Sequence, residues 1–225
     1  MSHSGDRSNY WSPICEKLVV WHSGKTDVTK GQLFRQVPRL LFGSGVISRL
    51  GQLLPPIGSG RLFIIDSVLE EQNIAKRLPI GHSDVVEWFP AGEHEPSTAQ
   101  VDELRDRIVG RSTYLPTGVV GVGGGSTMDV AKAVSVMLTN EGSSSQYQGW
   151  DLLRRPGVFK VGVPTLAGSG AEASRTSVLT GPTKKFGINS DFSMFDAVVL
   201  DSSLISGVPR DQRLYSGMDC FIHCV

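Results

Sequence analysis

The sequence predicts an α/β fold built on a largely parallel sheet with helices on both faces. Two observations carry that expectation. Short apolar runs of strand length alternate with segments of helical period, which is the pattern of repeated βαβ units. One of those runs passes directly into the glycine-rich "GVGGGSTMD", Gly121 to Asp129, a strand-to-helix junction.

The elements follow in order. The first thirty or so residues show no clear period, and residues 1–31 read as an extension of unknown role, with a loosely attached strand around "KLVVW", Lys17–Trp21. Residues 32–206 form the α/β unit. In "FGSGVISRLGQLL" a Gly-Ser-Gly turn precedes Val46, Leu50, Leu53 and Leu54 at helical spacing. "RLFIID" (Arg61–Asp66) is a strand that ends on an acid, and "DVVEWF" (Asp84–Phe89) is the next. The loop "PAGEHEPS" leads to a helix over 98–110. "GVVGVGGGS" (Gly118–Ser126) is a strand entering a glycine loop, and "TMDVAKAVSVML" (Thr127–Leu138) is a helix with Met128, Ala131, Val134 and Leu138 on one face. "FKVGVP" and "AVVLD" are further strands. "RDQRLYSGMDCFIHCV" closes the chain as a helix, so residues 207–225 read as the start of a second, helical unit.

Composition excludes several function classes. With 225 residues and 40% hydrophobic content, the chain suffices for one domain with a buried core. Lys+Arg and Asp+Glu both total 22, so no basic field favours nucleic acid or an anionic membrane, and a small-molecule partner is expected. Cys15, Cys220 and Cys224 are too few for a disulfide framework and fit a reducing compartment. There is no signal-like start and no apolar stretch of about 18 residues, so a soluble, cytoplasmic protein is expected.

Five stretches carry chemistry. Consecutive glycines at a strand-to-helix junction let the backbone approach a pyrophosphate, and the free amides of the helix start supply donors. Gly121 and Gly123 match the first two glycines of G-x-G-x-x-G, but Ser126 takes the third place, and a tight βα turn that binds nothing has the same appearance. Asp66 lies before the loop rather than about twenty residues after it. At the carboxyl edge of its strand it can bond ribose hydroxyls or cap the segment beginning Ser67-Val68. In "PTLAGSGAEASRTS", Thr165, Ser169 and Ser174 offer hydroxyls without bulk, as a nucleotide crevice needs and as a turn-rich connection also would. Lys184-Lys185 reads either as a solvated hairpin tip or as a pair aiming one lysine at a phosphate or ribose. Finally, Asp219 and His223 stand four apart on one helix side, the spacing of two ligands for one divalent ion and equally of a surface pair. Cys220 and Cys224 lie on an adjacent face and read as small core thiols, since "CFIHC" reverses the order of haem attachment.

Taken together, "FGSG", the strand ending in Asp66, "EPST", "GVGGGSTMDVAKA", "PTLAGSGAEAS", "KKFG" and "GMDCFIHC" resemble, in sequence order, the iron-containing (group III metal-dependent) alcohol dehydrogenase family. The resemblance spans roughly Phe34 to Val225. It implies a Rossmann-like parallel-sheet domain of the dehydroquinate synthase-like fold, followed by a helical domain of which this chain holds only the first helix. It also implies residue roles. Asp66 would sit by the ribose, and Gly124, Gly125 and Ser126 would hold the pyrophosphate of NAD or NADP. Asp129, Thr165, Ser169 and Lys185 would complete the cofactor cleft, while Glu95 stands where relatives often carry asparagine. Asp219 and His223 would be the first two ligands of iron or zinc. The other two family ligands are histidines further along, and His3, His22, His82 and His94 match neither. Little catalysis is therefore expected from these residues alone, and no protein general base is evident.

Within the family, "STMDVAKAVSVMLTN", "YQGWDLL" and "EASRTSVLTGP" look most like members that oxidise the terminal hydroxymethyl group of 3-deoxy-D-manno-octulosonate to an aldehyde. That implies a sugar-acid substrate, a link to an aminotransferase that consumes the aldehyde, and a homodimer. Another polyol or alcohol dehydrogenase of the family, or a nucleotide-binding protein without catalysis, fits the same residues.

Overall fold

The computed structural model describes residues 36–56, 60–92, 95–111 and 113–225. The extension 1–31, its strand at Lys17–Trp21, Cys15, His3, His22 and His94 lie outside the described residues.

Six strands form one sheet in which every pairing is parallel. In chain order they are β1 (Leu40–Gly43), β2 (Leu62–Asp66), β3 (Val85–Phe89), β4 (Gly118–Gly123), β6 (Phe159–Pro164) and β9 (Ala197–Asp201). Their spatial order is β1-β9-β6-β4-β2-β3. A second, three-stranded sheet holds β5 (Gly149–Trp150), β8 (Lys185–Asn189) and β7 (Thr176–Thr180), the last two as an antiparallel hairpin. The turn-rich reading of "PTLAGSGAEASRTS" therefore holds only as far as Arg175, because β7 begins at Thr176.

Successive side chains of a strand point to opposite faces, so a run such as Leu62-Phe63-Ile64-Ile65 needs cover on both sides. Helices α1 (Thr98–Arg111) and α2 (Gly125–Met137) supply it on one side. Val101, Leu104 and Ile108 of α1 join Met128, Ala131 and Val134 of α2 against Leu62, Ile64 and Val119. Helix α2 is buried nearly all round its circumference, including Lys132 and Ser135, which suits its place between the two sheets.

On the opposite face the cover is mostly short 3-10 turns. Ile47, Leu50, Leu69, Ile74 and Leu204 pack on Phe63, Ile65, Val122 and Val163. The segment expected to be an α-helix after Phe42 is a 3-10 helix over Val46–Gln52. Its two buried residues, Ile47 and Leu50, stand three apart, which matches three residues per turn rather than the pattern of Val46, Leu50, Leu53 and Leu54. Asp201 at the end of β9 fixes its start, accepting from the amides of Gly45 at 2.8 Å and Ile47 at 2.9 Å.

The chain closes with α3 (Ser202–Ile205) and α4 (Arg210–Cys224). None of the α4 residues is buried. Among the described residues no helix is long and apolar enough to cross a membrane.

Candidate nucleotide-binding site

Strand order places the site. From β2 the chain moves outward to the edge strand β3, whereas from β4 it moves to the other side, to β6. Such a reversal opens a crevice at the carboxyl ends of the two strands where the directions part. Asp66 ends β2 and Gly123 ends β4 beside it; a Cβ on Gly123 would lie 2.8 Å from the Asp66 Cβ.

The glycines there have separate tasks. At Gly121 a Cβ would meet the Ala131 Cβ at 2.6 Å, so its absence lets α2 lie close on β4. Gly124 is the N-cap of α2 and offers no side-chain cap. A Cβ at Gly124 would face open space, with only Leu166 Cδ2 near, at 4.0 Å. The first amides of a helix have no intrahelical partner; here the space in front of Gly124 is open, while Ser169 stands close against Gly125, where a Cβ would meet its Oγ at 2.6 Å. Helix α2 begins at Gly125, two residues before the expected Thr127, so Gly125 and Ser126 belong to that amide-bearing first turn. The opening fits a pyrophosphate, whose oxygens are acceptors for such amides.

Asp66 performs the capping role, accepting from the Val68 amide at 3.2 Å, and the Gly124 amide also faces its carboxylate. Burial raises its pKa above the usual carboxylate value despite those two donors. The same carboxylate lines a cavity of about 530 Å³ together with Gly124, Gly125, Ser126 and Thr165. Capping and ribose binding are thus compatible in one residue. Thr165 is held there by its amide, which donates to the Gly123 carbonyl at 2.9 Å.

A second cavity, about 470 Å³, opens on the other side of the helix start and is lined by Gly125, Ser126, Asp129, Ser169, Lys185 and Asp219, among others. Gly125, Ser126, Leu166 and Gln212 line both cavities, so the two are halves of one trough across the α2 N-terminus. Lys184 takes the hairpin-tip position, stacked over the Phe186 ring at 4.4 Å, whereas Lys185 bonds Glu95 at 2.5 Å on the trough wall. Ser169 lies against Gly125, its Oγ accepting from the Ala171 amide at 3.3 Å.

Beneath this wall lies a residue whose role the sequence reading missed. Lys132 is wholly buried, with Nζ 3.2 Å from Asp129 Oδ1 and 2.8 Å from the Ala171 carbonyl, and it also donates to the Thr176 carbonyl. Ser174 points the same way: its Oγ is 3.2 Å from that ammonium, away from the trough. Burial drives both members of the pair toward neutrality, raising the Asp129 pKa and lowering that of Lys132. The spacing of three between them was legible as one helical turn; the burial was not.

Asp219 and His223 share one side of α4, 3.5 Å apart and about half exposed. Asp219 lines the second cavity, but His223 lines neither. Among the described residues no group of three or more His, Cys, Asp or Glu could hold a metal ion. Asp219 and His223 thus stand as a pair with no third candidate ligand among the described residues. Cys220 and Cys224 are exposed free thiols, contrary to the core placement expected, because α4 turns no face into the core.

Residues 38–202 match the pattern of the iron-containing alcohol dehydrogenase family. The chain belongs to that family. Sulfoacetaldehyde reductase of Bilophila wadsworthia is 29% identical over 195 residues, covering 84% of this chain and 50% of the relative. NAD-dependent methanol dehydrogenase of Bacillus methanolicus is 29% identical over 196 residues, with the same coverage of 84% and 50%. Among solved structures, sulfoacetaldehyde reductase from Bifidobacterium kashiwanohense in complex with NAD+ superposes with a TM-score of 0.72 at 26% identity, covering 84% of this chain and 51% of that one. The chain spans about half the length of the curated relatives it matches.

Proposed function

We propose that residues 32–206 bind NAD for a metal-dependent alcohol oxidoreductase, and that residues 207–225 contribute Asp219 and His223 to a helical metal-binding part of it. The observation that carries this reading is the meeting of Asp66 with the uncapped helix start at Gly124 in one trough. The trough has an acceptor for ribose hydroxyls, open amides for the pyrophosphate, and a lysine beyond them. The carboxylate of Asp66 repels a 2′-phosphate, which favours NAD over NADP. The names of two similar proteins, one NAD-dependent and one in complex with NAD+, support the same cofactor.

Bound NAD would accept a hydride from the alcohol carbon. The chain's own residues orient it: Asp66 at one ribose, the amides of Gly125 and Ser126 at the pyrophosphate, Thr165 and Ser169 along the walls, and Lys185 at the far sugar. For substrate we propose the terminal hydroxymethyl group of 3-deoxy-D-manno-octulosonate. The support is the form of "STMDVAKAVSVMLTN", "YQGWDLL" and "EASRTSVLTGP"; the product aldehyde suits an aminotransferase. A second reading, nucleotide binding without catalysis, is favoured by the incomplete ligand set among the described residues.

Calorimetric titration with NAD and NADP, then turnover with octulosonate or a short diol in the presence of zinc or ferrous iron, separates these readings. Oxidation of octulosonate in preference to the diol supports the first. NAD binding with no turnover supports the second. Failure to bind any dinucleotide overturns both.

A further inference from the structure

We propose that Glu95 is a positioning residue for Lys185, and that the pair sets how tightly the chain holds the part of a dinucleotide beyond its pyrophosphate. This rests on the nucleotide-binding reading above.

Lys185 is the only cation among the described residues lining the second cavity, where three carboxylates, Glu95, Asp129 and Asp219, also stand. An anionic ligand entering that space depends on where the one ammonium is held. Lysine carries its charge on a flexible four-carbon stem, and Lys185 is 51% exposed, so without a fixed partner its ammonium would spend much of its time in solvent.

Glu95 supplies that partner because its own backbone is fixed. The Thr180 amide donates to the Pro96 carbonyl at 2.8 Å, and Ser97 forms a bridge with Thr180, so the stretch carrying Glu95 is stitched to β7. The Thr180 hydroxyl lies 3.4 Å from Glu95 Oε2, and Lys185 Nζ lies 2.5 Å from Oε1. Both oxygens are thereby directed along the trough wall. The hydrogen bond and charge of Lys185 hold the Glu95 carboxyl below its usual pKa, so the carboxylate stays ionised. An ammonium has three donors; Glu95 takes one and leaves two for the ligand. A neutral amide at position 95 would keep a weak acceptor but lose the charge that anchors Lys185.

The test measures NAD and ADP affinities for the whole chain and for E95Q, K185M and the double variant. ADP ends at the pyrophosphate and lacks the far sugar that the reading above assigns to Lys185. Expected is a loss of about three- to five-fold in NAD affinity for each single variant, the scale of one exposed ion pair. The double variant should be no weaker than K185M alone, and ADP affinity should be unchanged throughout. A merely structural role for Glu95 would lower NAD and ADP together, and that outcome overturns the proposal. So do losses that add in the double variant, or an E95Q chain that binds NAD as well as the parent. A parent chain that binds neither nucleotide removes the nucleotide-binding reading itself, a result distinct from all of these.

Discussion

Asp66 and Gly123 end neighbouring parallel strands so closely that a Cβ on Gly123 would stand 2.8 Å from that of Asp66 and 2.5 Å from Thr127 Oγ1. One residue further on, a Cβ at Gly124 meets nothing nearer than 4.0 Å. The two glycines should therefore fail differently. Gly123→Ala forces apart β4, Asp66 and the first turn of α2, and should cost about 1–3 kcal/mol in denaturant unfolding. Gly124→Val should cost only about 1 kcal/mol, the penalty of a poor N-cap residue, yet lose NAD binding in calorimetry, because its side chain fills the space in front of the helix amides. A Gly124→Val chain that binds NAD normally would mean the phosphates lie elsewhere.

The raised pKa of Asp66 gives opposite signs for stability and for binding. Burial lifts it above 3.8, so the folded state holds its proton to higher pH than the unfolded state does. Stability from this group is complete below 3.8 and is lost as pH rises through the folded value. Asp66→Asn retains an acceptor for the Val68 amide and removes that loss, so it should unfold at higher denaturant than the parent at neutral pH. Ribose hydroxyls need the ionised acceptor, so NAD affinity of the parent should rise with pH across the same window. The variant should bind about tenfold more weakly, the loss of a charged hydrogen bond, with a flat pH profile and a narrower preference for NAD over NADP.

How far all this was legible in the sequence depends on whether the cause was local. Strand β6 and the Asp66 ending of β2 were readable because apolar runs and turn residues are neighbours in the chain. The reversal of strand order between β2 and β4 was not, since nothing local tells β4 to pair with both β2 and β6. Nor was the ion pair of Glu95 with Lys185, ninety residues apart. The resemblance implies roles for Asp66 and Lys185, and the structure sets them in two cavities that share the start of α2. The thiols of Cys220 and Cys224 were misplaced because an apolar stripe on α4, Tyr215, Met218 and Ile222, resembles a core face whether or not anything covers it.

Arg61 and Asp84 form the firmest polar contact behind the site. Both side chains are buried; Arg61 Nε lies 3.0 Å from Asp84 Oδ1, and Nη2 reaches the Pro79 carbonyl at 2.7 Å. Burial alone would raise the Asp84 pKa, but the Arg61 guanidinium and the Gly81 amide bring it below 3.8. That stability is present above 3.8 and lost as pH falls through the lower folded value. Asp84→Ala strands a buried guanidinium and should cost about 3–5 kcal/mol in urea unfolding at neutral pH. Its acid unfolding should also lack the steepest part of the parent's transition.

Lys132 offers a comparable test nearer the trough. Its ammonium joins Asp129 to the carbonyls of Ala171 and Thr176, tying α2 to the segment that carries Ser169. Lys132→Met keeps the length of the stem but leaves those carbonyls and a buried carboxylate without their donor. A loss of about 3 kcal/mol is expected at neutral pH. Part of it should be regained by adding Asp129→Asn, which removes the uncompensated charge. Equal stability of the single and double variants would show that Asp129 is already neutral beside Lys132.

The pair on α4 makes the sharpest prediction about metal. Structural and catalytic sites for zinc use three or four protein ligands, and a carboxylate with one imidazole supplies two. Among the described residues no third ligand stands near Asp219 and His223. Dialysis of the chain against zinc or ferrous iron, followed by desalting, should leave well under one equivalent of either metal. Because both side chains are about half exposed on a helix with no buried residue, His223→Ala should shift unfolding by no more than about 0.5 kcal/mol. Stoichiometric retention abolished by His223→Ala would overturn this expectation and show that two protein ligands suffice here.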